Sequence, residues 1–99
     1  MISSKIHTSY RSVVALCDVS LIGKKFEEDK RQLDCTGQFF KGKEITHEEA
    51  VALIKKQARE DSTFNIVGPE SLKAAEDAGL ISKENIAHVQ DIPFTLILL

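Results

Sequence analysis

Residues 12–17, Ser-Val-Val-Ala-Leu-Cys, form a short continuous apolar run rich in β-branched side chains. Because polar and apolar residues do not alternate, a strand built here buries both faces and needs cover on both sides of its sheet. Around it the first half reads as β. Residues 20–26 predict a second, more broken strand in which Gly23 marks a bulge, and residues 27–30 predict a solvated connection. Arg31 to Cys35 alternates, which places Leu33 and Cys35 on one face. Residues 38–45 predict a turn or hairpin, with Gly42 supplying a positive φ.

Beyond residue 45 the hydrophobic period lengthens. Thr46 and Glu49 have capping-box spacing, and Ala50, Val51, Ile54 and Ala58 follow on one helical stripe with Leu53 beside it. The spacing predicts a helix over 46–60. Residues 63–67 predict a strand, and Gly68-Pro69 opens a second helix that runs to Ala78 and stops at Gly79, with Leu80 folding back onto Ala75. Residues 86–89 predict another strand, and Pro93 is expected to start the last one, 94–99. The expected fold is a mixed α/β sheet of α+β type: a β-rich N-terminal half, then helix, strand, helix, strand, strand, with two main helices packed on one sheet.

Ninety-nine residues, 42% apolar and 28% charged, fit one globular domain over 1–99. No run approaches the ~18 apolar residues of a membrane span, so no membrane partner is expected. Residues 1–10 lack the apolar core of a signal peptide, which implies a cytoplasmic protein. The terminal Leu96-Ile97-Leu98-Leu99 is too apolar to stay in water. It is read as a covered strand of a monomer's sheet, or as an edge that pairs two copies into a homodimer.

Charge is unevenly divided. Residues 1–43 hold eight Lys or Arg against five acids, whereas residues 44–99 hold five against ten, giving the net charge of -2. The basic half gathers Lys24, Lys25, Lys30, Arg31, Lys41 and Lys43 around Phe26, Phe39 and Phe40, the mixture of cations and rings that suits single-stranded RNA. Acids among them leave the potential weakly positive, and a solvated face of mixed sign is the alternative.

The stretches RSVVALCDVSLIGKKFEEDK (11–30) and FNIVGPESLKAAEDAGLI (64–81) resemble a family of short archaeal proteins catalogued as a domain of unknown function. The resemblance is carried most by Ala15–Glu28 and Asn65–Ser71 and offers no catalytic residues to carry over. Family members often end in a Gly-hydrophobic-Pro-His segment, where this chain has Asp91-Ile92-Pro93-Phe94. The resemblance implies an archaeal cytoplasmic setting near translation or RNA metabolism.

A second candidate site joins Cys17 and Asp18, at the carboxyl end of the best buried strand, to Gly68, Glu70 and Ser71 at a helix start. Ligands of open α/β sheets gather at such strand ends, and helix N-termini hold anions. Pro69 removes an amide there, and Glu70 brings a negative charge. Cys17 and Cys35 are read as buried structural thiols, with a disulfide, a metal site and a reactive Cys as alternatives. His7, His47 and His88 are isolated, so no metal or other cofactor is implied. The leading expectation is a non-enzymatic module that binds RNA or a ribonucleoprotein through the six basic residues. The alternatives are a small enzyme or phosphorylated-metabolite binder at the second site, and a structural dimeric adaptor.

Overall fold

The apolar run near residue 13 becomes an interior strand covered on both faces. In the computed structural model, which describes residues 1–8 and 10–98, the chain forms β1 (Ile2–His7), β2 (Val13–Asp18), β3 (Lys25–Glu28), β4 (Arg31–Asp34), β5 (Lys43–Ile45), α1 (His47–Arg59), β6 (Thr63–Val67), α2 (Pro69–Asp77), β7 (Ala87–Val89) and β8 (Ile92–Ile97). Six strands form one mixed sheet in the order β5-β1-β2-β6-β8-β7, and β3 pairs with β4 as a separate hairpin. β2 runs parallel to β6, its neighbour across the α1 crossover, and the other ladders are antiparallel.

Each face of the sheet meets its own apolar cluster. Val14, Leu16, Phe64 and Ile66 point to the side where α1 and α2 pack, with Ala50, Ile54, Leu72 and Ala75 above them. The alternate residues, Ala15, Cys17 and Val67, point to the other side, where Leu33, Cys35 and Phe40 lie over them. The hairpin and the segment that follows it are therefore the second cover that β2 requires. Both helices match their sequence signals. Thr46 accepts the Glu49 amide while the Glu49 carboxylate accepts the Thr46 amide at 2.9 Å, closing the capping box. Gly79 takes φ +78°, and the Leu80 amide returns to the Ala75 carbonyl at 3.0 Å.

Several local expectations are corrected. Residues 2–7, not anticipated as a strand, form β1 and pair along their whole length with β2. Residues 19–21 form a 3-10 turn, so the second strand starts at Lys25, and Gly23 sits in the preceding turn rather than in a bulge. Glu27 and Glu28 belong to β3, and the reversal narrows to Asp29 and Lys30, with Asp29 at φ 55°. Residues 38–45 make no hairpin, because β5 pairs with β1 instead. Gly42 has no positive φ. It is glycine because a Cβ there would lie 2.1 Å from the Ser4 carbonyl oxygen.

Pro93 is the second residue of β8, not its first. Its carbonyl accepts the Gly68 amide at 2.8 Å. Its nitrogen faces the same side, past the last β6 ladder pair of Val67 with Phe94, so the missing N–H breaks no rung. The C-terminal strand lies inside the sheet but ends at Ile97, and the apolar run is not all covered: Leu96 within β8 and Leu98 beyond it are 55% and 73% exposed. Leu99 lies outside the described residues.

Candidate functional site

β2 and β6 are adjacent and parallel, so their carboxyl ends meet at one place, and Asp18, Gly68, Glu70 and Ser71, four of the five residues expected there, come together. β2 ends in Asp18. β6 is followed by Gly68, which caps α2 with φ +104° and brings the helix start against the Asp18 carboxylate. Glu70 N–H donates to Asp18 Oδ2 at 3.0 Å, and Ser71 N–H and Oγ donate to Oδ1, each at 2.8 Å. Asp18 is 2% exposed. A Cβ on Gly68 would lie 2.3 Å from Asp18 Cγ, so the close approach itself demands glycine.

The geometry of an anion site is thus present, with its anion supplied by the chain. Pro69 has no N–H, the Glu70 and Ser71 amides are taken, and the Leu72 amide already bonds the Gly68 carbonyl at 2.9 Å. No amide of the first turn remains for a phosphate. The Glu70 carboxylate points outward and pairs with the Met1 amine at 3.0 Å, adding negative charge at the mouth. Asp18 holds its place as an acceptor of three bonds, and acting as a base would require breaking them. Cys17 belongs to the opposite face of β2 and does not join this cluster.

The six basic residues are all exposed, but they do not make one patch. Lys24 and Lys25 precede and open β3, and Lys25 pairs with Glu27 at 3.3 Å. Lys30 and Arg31 stand at the other end of that hairpin, where Arg31 donates to the His88 carbonyl at 3.1 Å. Lys41 lies in the segment before β5. Lys43, opposite Ser4 in register, faces the helix side of the sheet. The accompanying rings divide as well. Phe40 is buried, Phe26 packs into the second cluster, and Phe39 alone of the three stays exposed.

Phe39 belongs to a constellation that sequence reasoning missed. Its ring stacks on His7 of β1 with centroids 4.5 Å apart and planes 11° from parallel, and Phe40 meets it edge-on. His7 Nε2–H donates to the Phe39 carbonyl at 2.8 Å, and Lys5 Nζ donates to the Gln38 carbonyl at 2.9 Å. Lys5 and His7 share the hairpin-facing side of β1, so this platform lies beside the covering layer. The one sequence signal for β1 was Ile2 and Ile6 at even spacing, weakened by Ser4 between them. Among the described residues no three His, Cys, Asp or Glu side chains are placed to hold a metal.

Fold and site together define a small mixed-sheet α+β protein, helices on one face and a β-hairpin on the other, whose helix start is sealed by its own carboxylate. The chain belongs to the family described as protein of unknown function (DUF424), which matches residues 6–99. It is similar to the crystal structure of an uncharacterized conserved protein from the archaeon Methanopyrus kandleri. That likeness has a TM-score of 0.85 and 27% identity over 98% of this chain and 91% of the other. No curated protein matches the sequence.

Proposed function

We propose that this chain is a non-enzymatic module that binds single-stranded RNA, free or within a ribonucleoprotein. The observation that carries the reading is Phe39: a ring 41% exposed and stacked on His7, with the Lys5 ammonium held at the neighbouring Gln38 carbonyl and Lys41 two residues on in the chain. A base stacks on the exposed part of such a ring while nearby ammonium groups meet phosphates. At the strand end where a small-molecule site is the alternative, the filled amides of the helix start favour this reading over an anion site.

The test is fluorescence anisotropy with a labelled single-stranded RNA. Affinity should fall tenfold or more between about 50 and 200 mM salt if several phosphates are contacted. Phe39→Ala should cost about 1–3 kcal/mol of binding, and Lys5→Glu with Lys41→Glu should flatten the salt dependence. Loss of binding in Lys24→Glu, Lys25→Glu instead would move the surface to the hairpin. Absence of salt-dependent binding overturns the reading.

A second reading, self-association through β8, has its own support. β7 pairs only with Ile92 to Phe94, so the Leu96 backbone has no ladder on that side, and Leu96 and Leu98 are exposed beside it.

A further inference from the structure

We infer that Cys17 and Cys35 are an oxidisable dithiol that closes to an intramolecular disulfide, joining β2 of the sheet to the end of the β3–β4 hairpin. The two residues are eighteen apart in sequence, yet the chain turns sharply after β2 through the 3-10 turn at Val19–Leu21. Cys35 is then pinned against that turn: its carbonyl accepts the Gly23 amide and its amide donates to the Lys24 carbonyl, both at 2.8 Å. Cys17 points from β2 into the same apolar cluster, where its thiol donates to the Asp18 carbonyl at 3.4 Å and lies close enough to Cys35 for each to perturb the other. They are 0% and 1% exposed, so a dissolved disulfide reaches them only when the end of the hairpin opens locally.

The proximity also distinguishes the two thiols. Cys17 is raised by its neighbour Cys35 and further by burial, whereas Cys35 is lowered by Cys17. Cys35 is the attacking sulfur, because the thiolate is the nucleophile. It also lies between the exposed Asp34 and Thr36 at the end of the hairpin, where local opening uncovers it. The oxidant is a low-molecular-weight disulfide. The Cys35 thiolate attacks one of its sulfurs, forms a mixed disulfide and releases one thiolate, which takes up a proton. Cys17 then gives up its proton and attacks Cys35 Sγ, forming the Cys17–Cys35 bond and releasing the second thiol. The protein dithiol is oxidised, and one small disulfide is reduced to two thiols.

The experiment treats the full chain with oxidised glutathione and follows intact mass, thiol titration in denaturant and non-reducing peptide mapping. The expected result is a mass lower by about two hydrogens, loss of both thiols, and a linked peptide pair carrying residues 17 and 35. The closed loop should raise Tm by about 10 °C over the reduced protein. Cys17→Ser should stop at a glutathione mixed disulfide on Cys35, and Cys17→Ala does the same if serine disturbs the apolar site. Two thiols that still titrate after oxidation overturn the inference, as do a disulfide formed only between two chains or mixed disulfides retained on both cysteines of the unsubstituted protein.

Discussion

Asp18 receives its three hydrogen bonds from Glu70 and Ser71, residues more than fifty positions away, and so clamps a strand to a helix that it does not adjoin in sequence. Replacing it by alanine leaves two backbone amides and one hydroxyl without acceptors at a buried site. At about 1–3 kcal/mol for each unsatisfied group, partly relieved by water, Asp18→Ala should cost about 3 kcal/mol in urea unfolding. A loss below about 1 kcal/mol would mean that the helix start relaxes and that Asp18 is free for other work. The strand-end position of Asp18 was legible in the sequence, and so was the helix start at Gly68. That one fills the other was not, because the pairing depends on β2 and β6 lying side by side. Phe39 shows the same limit: three nearby phenylalanines have equivalent sequence signals, and only the packed layer decides which one meets solvent.

At the scale of elements, legibility follows how local the stabilising interaction is. The α1 cap is made within four residues, so Thr46 and Glu49 announced it. β1 carries two serines, a lysine and a histidine, and becomes a strand because β2 and β5 flank it. The cap also sets an acid limit. The Thr46 backbone amide, then its side chain, lowers the Glu49 carboxyl below its ordinary 4.5. Thr36 likewise lowers Asp34, and Lys73 followed by His47 lowers Asp77. A carboxyl lowered on folding adds stability that is present above its unfolded pKa and lost as pH falls through its folded pKa. Tm should therefore stay level from neutral pH down to about 5 and decline below about 4.5. Glu49→Gln should make that decline shallower. Thr46→Ala should remove about 1 kcal/mol at neutral pH, measured by urea unfolding.

At the scale of the whole molecule, the second cover is incomplete. The hairpin layer shields the end of the sheet near Cys17 and Val67, whereas Leu96, on the same face opposite Asn65, remains exposed. Leu96→Asp with Leu98→Asp should leave monomer stability within about 0.5–1 kcal/mol, since the replaced side chains already stand in water. If β8 pairs copies in solution, sedimentation velocity of the wild-type chain should show a dimer that this variant abolishes. A wild-type monomer across the concentration range removes the self-association reading. The sequence by itself determined the two-faced burial of β2, both helices with their caps, and β6, because apolar period and capping are written within a few residues. Only the tertiary structure decided that residues 2–7 form a strand, that Asp18 seals α2, that Cys17 meets Cys35, and that Phe39 rests on His7. Each of these contacts joins chain segments distant in sequence, and their free energy exists only once the sheet has set its strand order.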